Sequence, residues 1–305
     1  MKLAIDSYCY HRQFGEIYPR LETDPGKRIT MAEFVRRAHG FGVQGVSLES
    51  CFMPEADIGT RATAREAALD VLREQLDELG LERVWAWGHP DGLSSGADAL
   101  AVNNLIHHLG VAKRLGAKVM RICCGSRRTR PNQWLQHRVN LLPLLRHSVA
   151  AAEAHGIVLA IENHIDLLAD ELVEILETLN SPWLGVCLDT ANNLRMLEDP
   201  LDVAAKLVRW TRATHIKDVA ANTVTKHSNP RDFAFWPSVP VGQGVIDMPS
   251  ILAMLVRAGY QGLLALELDY LHAHYEVDDD VEIAIMQSLA TLQYQRDQAM
   301  QVRRA

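Results

Sequence analysis

The stretch LLPLLRHSVAAAEAHGIVLAIEN at residues 141–163 contains the pattern that decides the fold. Its first part repeats apolar residues at the spacing of an amphipathic helix, and its last seven residues form a short apolar run typical of a buried strand. Between them stands Gly156, and glycine readily adopts the left-handed backbone conformation that ends a helix. A helix that ends in glycine directly before a buried strand is the unit expected of a parallel sheet with helical connections.

The same unit recurs along the whole chain of 305 residues. Eight amphipathic stretches alternate with eight apolar runs, and further helical stretches end at Gly40 or Gly42, Gly80, Gly116 and Gly259. The predicted strands lie at residues 3–8, 45–50, 83–88, 118–125, 157–163, 184–190, 212–218 and 262–268. Strict alternation without a change of composition predicts an α/β fold, a closed (β/α)8 TIM barrel that forms a single domain over residues 1–305.

An open, doubly wound sheet is the alternative architecture. Its nucleotide-binding versions usually carry a glycine-rich GxGxxG turn, which this sequence lacks. In the barrel, the long segments at residues 9–29 and 219–247 follow strands 1 and 7 and therefore lie on one face. Long connections on that face of a barrel commonly form the walls of the active site, so we expect two active-site loops there.

Composition and charge exclude several classes of function. The formal net charge is −7, whereas proteins that bind nucleic acid broadly present a basic face. The five cysteines include no CxxC pair, which is typical of reduced thiols in the cytosol. The beginning, MKLAIDSYCYHR, lacks the apolar core of a signal peptide, and no segment approaches the roughly 18 apolar residues of a membrane span. We therefore expect a cytoplasmic protein that binds neither nucleic acid nor membranes.

Four predicted strands end on a side chain that can bind a metal ion: Glu162, Asp189, His215 and Glu267. Barrel active sites lie at these strand ends, and each of the four residues follows a small or apolar residue on its own side of the strand. Three carboxylates converging there would repel one another without a cation. Each residue alone would more often cap a helix or form an ion pair, but their equivalent positions favour a metal site. Such a hard, oxygen-rich set favours Mn²⁺, Mg²⁺, Co²⁺ or Zn²⁺.

Three more polar residues follow the same strands and are expected to face the same cavity. His164 lies two residues beyond Glu162 and is a candidate base or substrate contact. Lys217 stands in the same relation to His215 and could hold a substrate oxygen. Asn192 is a candidate contact of the substrate or of a metal ligand. Each of these side chains could instead be a hydrogen-bonded residue of the barrel wall.

The ends of the earlier strands supply further candidate substrate contacts, namely Glu49, His89 and Arg121. Glu49 and Arg121 could instead pair with each other. On the first long loop, His11 and Arg12 could reach the pocket.

Charged and aromatic residues in other loops complete the set of candidates. The arginines after strand 4 could clamp a phosphate or carboxylate, or simply be solvated; they are Arg127, Arg128 and Arg130. Trp236 is a predicted substrate contact that could stack on a sugar or an aglycone. Trp85 and Trp87 could do the same, although core packing is the expected role of Trp85.

Several motifs resemble those of the xylose isomerase-like TIM barrels, a superfamily that includes sugar phosphate isomerases and epimerases, ketose 3-epimerases, inosose dehydratases and endonuclease IV. The motifs are AIENH, CLDTAN, THIKD, PVGQGVID and GYQGLLALEL, and the resemblance covers essentially the whole chain. It implies that Glu162, Asp189, His215 and Glu267 hold one divalent metal, most commonly Mn²⁺. It also implies that Glu162 and Glu267 flank the bound sugar and move protons.

Two positions depart from the pattern of this superfamily. Members similar to ketose 3-epimerases often carry a histidine three residues after the ligand aspartate, where this chain has Asn192. Many relatives read Gly-Glu-Gly where this chain has Gly242, Gln243 and Gly244. These departures leave the substrate open.

The resemblance and the ligand set together predict removal of a proton beside the carbonyl of a sugar or keto-sugar. The metal would stabilise the enediolate that forms, while a glutamate or histidine takes the proton. Return of the proton to another carbon gives an isomerase, and return to the other face gives an epimerase. We expect a small-molecule sugar substrate, and either a homo-oligomer or a complex with a small partner subunit.

Three alternative functions stay open. The stretches DSYCYHRQFGEIYP and GVSLESCFMPE are similar to the large subunit of bacterial C-glycoside deglycosidases, lyase-type enzymes that cleave 3-oxo-glycosides by β-elimination with a small partner subunit. An endonuclease IV-like DNA repair enzyme would need several more histidine ligands and a basic face. A non-catalytic sugar-binding barrel is disfavoured by intact ligands at all four positions.

Overall fold

Eight parallel strands close into a barrel in the computed structural model, which describes residues 1–19, 21–220, 237–271 and 280–302. The barrel strands are β1 (Lys2–Asp6), β2 (Gly45–Glu49), β3 (Glu82–Trp87), β4 (Val119–Ile122), β5 (Val158–Glu162), β6 (Leu184–Asp189), β7 (Thr211–Ile216) and β10 (Leu263–Leu266). Each pairs with its neighbour in chain order, and β1 closes the circle by pairing with β10. A short antiparallel pair, β8 (Asp218–Val219) and β9 (Ser238–Val239), lies between β7 and β10 along the chain. The predicted TIM barrel is therefore confirmed.

The helices of the described residues follow the alternation that the sequence predicts. They are α1 (His11–Phe14), α2 (Met31–Gly40), α3 (Ala62–Glu78), α4 (Ala101–Leu115), α5 (Trp134–His155), α6 (Ala169–Leu179), α7 (Pro200–Leu207), α8 (Met248–Arg257) and α9 (Asp280–Val302). Helices α2 to α9 each follow one barrel strand, whereas α1 is a single turn inside the first long connection.

Local sequence determines where several of these helices begin and end. Thr30 Oγ1 accepts a hydrogen bond from the backbone N–H of Glu33 at 3.2 Å, and the Glu33 carboxylate accepts one from the backbone N–H of Thr30 at 2.8 Å. This reciprocal capping box starts α2. Gly116 and Gly156 follow α4 and α5 with φ values of +78° and +71°, which a residue with a Cβ adopts only at a cost. Both helices therefore end where the sequence predicts.

Small and apolar side chains fill the barrel interior below its mouth. They form one buried cluster that contains Ala4, Val84, Ala160, Cys187, Ala213, Leu263 and Ala265. Larger residues on the opposite faces of the strands, such as Ile161 and Leu188, pack in the main core with the helices. Because side chains two residues apart point to the same face, the inward position of Ala160 and Ala265 directs Glu162 and Glu267 into the barrel above them.

Asp218 organises the backbone that leads from β9 into α8. Its Oδ2 accepts hydrogen bonds from the backbone N–H groups of Gly242 and Gly244 at 2.8 and 3.0 Å. Its Oδ1 accepts from the backbone N–H groups of Val219 and Ile246 at 2.9 and 3.1 Å. One buried carboxylate thus satisfies four backbone donors, and the chain must approach it closely at Gly244.

Replacing Gly244 by alanine is expected to lower the free energy of unfolding by about 1–3 kcal/mol, the usual cost of overpacking. The added Cβ would lie 2.0 Å from Asp218 Oδ1 and 2.4 Å from the Val219 carbonyl oxygen, so the backbone would have to shift. The control is Gly110→Ala on the exposed side of α4, where no atom lies within 4 Å of the new Cβ. Urea denaturation should show that the control raises the free energy of unfolding by about 0.5–1 kcal/mol. Equal stability of the two variants would contradict this account.

Part of the second predicted loop falls outside the described residues, namely residues 221–236, which include Trp236. No helix within the described ranges combines the length and the apolar character that crossing a membrane requires.

Candidate active site

The four predicted metal ligands lie together at the carboxyl ends of β5, β6, β7 and β10. Glu162 and Asp189 are the last residues of their strands, His215 is the last but one of β7, and Glu267 directly follows β10. All four side chains are buried. One ligand atom each from Glu162, Asp189 and His215 lies within 4.8 Å of the others. His215 Nδ1 is 2.8 Å from Glu267 Oε2 and 3.7 Å from Glu162 Oε1.

Several polar atoms of this group have no hydrogen-bond partner among the described residues: Asp189 Oδ2, Glu267 Oε2 and both imidazole nitrogens of His215. His215 Nδ1 and Glu267 Oε2 are close, yet their geometry is not that of a hydrogen bond. Buried polar atoms in proteins are nearly always satisfied, so these atoms require an explanation. Three carboxylates and one imidazole around unsatisfied donor atoms are a set that fits a divalent cation.

Glu162 is held from two sides. Arg121 Nε donates a hydrogen bond to its Oε2, and Asn192 Nδ2 donates one to its Oε1 at 2.7 Å. Arg121 also lies 3.5 Å from Glu49, so the pair that the sequence allows does form, but with Glu162 as a third member. Burial alone would raise the pKa of Glu162, but the charges of Arg121 and His215 hold it well below its usual range. This carboxylate is therefore ionised throughout the physiological range.

Lys217 carries a positive charge in the middle of the acidic residues. Its Nζ lies 3.3 Å from Asp189 Oδ2, 3.2 Å from Glu267 Oε1 and 3.1 Å from Asp269 Oδ2. Burial opposes this charge, but the three carboxylates outweigh burial and raise the pKa of Lys217 well above its usual value. In return, the pKa of Glu267 is lowered despite its burial, mainly by Lys217 and His215. Both groups are thus charged at neutral pH.

His164 has a defined hydrogen-bonding state. Its Nδ1 lies 2.9 Å from the carbonyl oxygen of Gly125, and that oxygen can only accept. Nδ1 must therefore carry the proton, which leaves the lone pair on Nε2 when the ring is neutral. Burial lowers the pKa of His164 to about 4, so the ring is neutral at physiological pH. A neutral imidazole with a bare Nε2 is in the state that a general base requires.

Residues of the first loop reach the end of β3 and contact His89. His89 Nε2 lies 2.8 Å from Glu16 Oε1, which also accepts a hydrogen bond from the Tyr8 hydroxyl at 2.9 Å. The hydroxyls of Tyr8 and Tyr18 are 2.6 Å apart. Burial would lower the pKa of His89, but the hydrogen bond and charge of Glu16 raise it above its usual value. The loop and the barrel therefore share one polar network.

Other loop candidates are engaged with acidic partners. Arg130 forms two hydrogen bonds of 2.7 Å with Glu171, and Arg128 pairs with Asp91. His11 Nε2 lies 2.8 Å from Glu22 Oε1, with both side chains buried. The structure therefore assigns these three residues contacts within the protein, while Arg127 is exposed and Arg12 is half-buried.

The two tryptophans of β3 point outward. Trp85 is fully buried, and its indole N–H donates to His108 Nδ1 on α4 at 3.2 Å. The Trp87 indole N–H donates to Asn104 Oδ1 on the same helix at 2.6 Å. Core packing between β3 and α4, which the sequence predicts for Trp85, therefore extends to Trp87. Trp236 lies outside the described residues.

Three residues of the site were not predicted from the sequence: Asp6, Arg195 and Asp269. Asp6 ends β1, and its Oδ2 lies 3.5 Å from His215 Nε2. Asp269 contacts both Lys217 and Arg195, each at 3.1 Å. The sequence held a signal for two of them, because Asp6 is a strand-end carboxylate and Asp269 lies two residues beyond Glu267. Nothing in the spacing of Arg195 singles it out.

Comparison with known proteins gives one family. A sequence model of the family described as xylose isomerase-like TIM barrel matches residues 35–289. A 3-oxo-isoapionate decarboxylase from Pectobacterium atrosepticum is 28% identical over 154 residues, 50% of each protein. A 2-epi-5-epi-valiolone 7-phosphate 2-epimerase from an Actinoplanes species is 32% identical over 131 residues, 43% of this chain and 44% of that protein. The alignments with these two curated relatives therefore span no more than half of their length.

A solved structure of D-psicose 3-epimerase in the presence of D-fructose has the same architecture. It aligns with a TM-score of 0.71 over 97% of this chain and 99% of that chain, at 14% sequence identity. At this level of identity the likeness shows a shared fold and nothing about the substrate.

Proposed function

Because this chain belongs to the xylose isomerase-like TIM barrel family, we propose that it is a divalent-metal-dependent enzyme that removes a proton beside the carbonyl of a sugar or keto-sugar. The observation that carries the proposal is the set of unsatisfied ligand atoms on Asp189, His215 and Glu267. A neutral His164, two residues beyond Glu162, supports it. Two relatives are named as an epimerase and a decarboxylase of sugar-like compounds, which supports a sugar-modifying enzyme.

Four side chains would hold the ion: Glu162, Asp189, His215 and Glu267. Mn²⁺ is the proposed metal, and Mg²⁺, Co²⁺ and Zn²⁺ suit the same donors. When bound, such an ion polarises a carbonyl oxygen and stabilises the negative charge that develops on it. Asp189 and Glu267 would then exchange part of their interaction with Lys217 for the ion, which frees the ammonium group to meet a substrate oxygen.

His164 is the proposed base, and it takes the proton on Nε2 while Nδ1 stays bound to Gly125. Glu162 is a weaker candidate, because Arg121 and Asn192 engage both of its oxygens and its pKa is low. Glu267 retains one oxygen without a hydrogen bond and is the proposed second proton carrier.

Six further residues are the proposed substrate contacts. Lys217, Asn192 and His89 offer donors at the strand ends, and Trp236 is the proposed stacking surface. Arg121 and Glu49 are proposed to take part as well, since they form one charged cluster with Glu162. The cysteines are all free, in line with the proposed cytoplasmic location.

We expect the Mn²⁺-loaded protein to exchange a carbon-bound hydrogen for deuterium when it is incubated in D₂O with ketoses or 3-oxo-glycosides. NMR follows the hydrogen beside the carbonyl. Chelation with EDTA, or Glu162→Gln combined with Glu267→Gln, should lower the rate at least about a hundredfold, and added Mn²⁺ should restore the chelated enzyme. Glu153→Gln, an exposed change on α5, is the control and should behave like the parent. Exchange that persists in the chelated protein would contradict metal dependence.

A lyase acting on a 3-oxo-sugar derivative is the second candidate function. An epimerase needs proton carriers on two faces of the substrate, whereas an elimination or decarboxylation needs one. Arg121 and Asn192 engage Glu162, so an epimerase would depend on both His164 and Glu267, whereas His164 alone would suffice for a lyase. The same NMR samples separate the two, because a lyase releases an aglycone or carbon dioxide. A deglycosidase would also be expected to co-purify with a small partner subunit, whereas an epimerase would appear alone or as a homo-oligomer.

A further inference from the structure

We propose that Asp6 is a positioning residue that accepts the Nε2 proton of His215 and so presents Nδ1 of that imidazole to the metal. The inference deepens the proposed function and rests on it, since it concerns the same metal site. Asp6 belongs to β1, which contributes none of the four proposed ligands.

The geometry leaves one oxygen of Asp6 for this task. Asp6 is fully buried at the end of β1, and its Oδ1 accepts a hydrogen bond from the backbone N–H of Tyr8 at 2.6 Å. Its Oδ2 makes no hydrogen bond within the described part of the chain, and His215 Nε2 lies 3.5 Å away. The separation exceeds an N–H···O hydrogen bond by a few tenths of an ångström, so a small rotation of the ring would close it.

The two nitrogens of the His215 imidazole have different neighbours. Nδ1 faces Glu267 Oε2 at 2.8 Å and Glu162 Oε1 at 3.7 Å, which are both proposed ligands. Nε2 faces Asp6. A histidine that binds a metal through one nitrogen keeps its proton on the other, and a carboxylate that accepts this proton sets the ring orientation. Asp6 is therefore placed to stabilise the form of His215 that can bind through Nδ1.

A second cation between Asp6, Glu49 and His215 is the competing interpretation, because one ligand atom of each lies within 4.8 Å of the others. Two observations favour the positioning role. Arg121 lies 3.5 Å from Glu49 and already supplies positive charge there. A neutral imidazole has one lone pair for a metal, and Nδ1 is the nitrogen turned toward two proposed ligands, Glu267 and Glu162.

The test is Asp6→Asn. The asparagine Oδ1 can still accept from Tyr8, and its amide group then turns toward His215 Nε2. An amide N–H there stabilises the form with the proton on Nδ1, which cannot bind the ion. We expect Zn²⁺ affinity, measured by competition with a fluorescent chelator, to fall about 10–100-fold. The matched control is Asp166→Asn, because Asp166 is equally buried and lies 3.7 Å from His137, a histidine outside the site. The control should retain the parental affinity.

Each outcome decides the proposal. The proposal would be overturned if Asp6→Asn bound Zn²⁺ with the parental affinity. It would also be overturned if the parental chain bound two Zn²⁺ ions and Asp6→Asn bound one. If Asp6→Asn fails to fold, ¹⁵N NMR of the Zn²⁺-loaded parent replaces it: a proton on Nε2 of His215 with zinc on Nδ1 supports the role of Asp6, and the reverse overturns it. A parental chain that binds no divalent ion would overturn both this inference and the proposed function, whereas failure in the variant alone leaves the function standing.

Discussion

Replacing Arg121 by methionine is expected to lower the free energy of unfolding of the metal-free protein by about 3–5 kcal/mol. Arg121 is buried at the centre of the barrel, where it binds Glu162 and lies 3.5 Å from Glu49. Methionine fills a similar volume but leaves the two buried carboxylates without their counter-charge. Removing one member of a buried ion pair costs more than the pair contributes, because the remaining charge stays away from water. A protein domain is commonly stable by about 5–15 kcal/mol, so this change is large.

Two controls separate charge from size in the urea denaturation experiment. Arg128→Met removes an arginine of an exposed pair with Asp91, and the stability should change by less than about 1 kcal/mol. Adding Glu49→Gln and Glu162→Gln to Arg121→Met removes the uncompensated charges, so most of the lost stability should return. A loss of under about 1 kcal/mol in Arg121→Met alone, or no recovery in the triple variant, would contradict the role of Arg121 as the counter-charge.

The candidate ligand set could be predicted from sequence because a strand has a short and rigid period. Once 158–162 and 263–266 are recognised as parallel barrel strands, the positions of Glu162 and Glu267 at the mouth follow from alternation and strand direction alone. The same two-residue period relates His164 to Glu162 and Lys217 to His215. Applied consistently, it would also have found Asp269, and it would have placed Trp85 and Trp87 outside the barrel, opposite the inward Val84.

Contacts between distant parts of the chain could not be predicted in this way. Glu16 meets His89 across 73 positions of sequence, through a loop whose path no periodicity describes. Arg121 and Glu162 lie near the ends of neighbouring strands, but spacing cannot tell whether the guanidinium turns to Glu162 or to Glu49. The contact between Asp6 and His215 crosses the barrel from β1 to β7, which do not pair with each other. Side-chain direction within a packed interior decides each of these contacts.

The charges of the site indicate how it tolerates so many buried acidic groups. Lys217 lies within 3.3 Å of an oxygen from each of Asp189, Glu267 and Asp269, and Arg195 shares the last of them. A cation bound by Asp189 and Glu267 would therefore compete with an internal ammonium group. The ammonium group would balance these carboxylates without metal, and under the proposed function a bound ion would release the lysine for a substrate oxygen.

Replacing His164 by glutamine is expected to lower the rate of deuterium exchange about 10²–10⁴-fold in the metal-loaded protein, the usual contribution of a general base. Glutamine can still donate a hydrogen bond to the Gly125 carbonyl, so the fold should survive while the basic nitrogen is lost. The matched control is His155→Gln. His155 Nδ1 also lies 2.8 Å from a backbone carbonyl oxygen, that of Ala151, but His155 is the last residue of α5. The deuterium exchange rate of His155→Gln should equal that of the parent.

The pH dependence of exchange provides an independent check on the same residue. A base must be neutral to accept a proton, and burial lowers the pKa of His164 to about 4. Burial raises the pKa of Asp189 to about 6, so saturating Mn²⁺ is needed to keep this proposed ligand ionised. Under that condition the parental rate should stay level as the pH falls from 8 to 5, and decline only as the His164 ring becomes protonated near pH 4. A histidine with the ordinary pKa of about 6.5 would instead lose activity below neutral pH. If the exchange rate declined around pH 6.5, or if His164→Gln exchanged at the parental rate, another residue would be the base. Glu267 would be the first candidate to test.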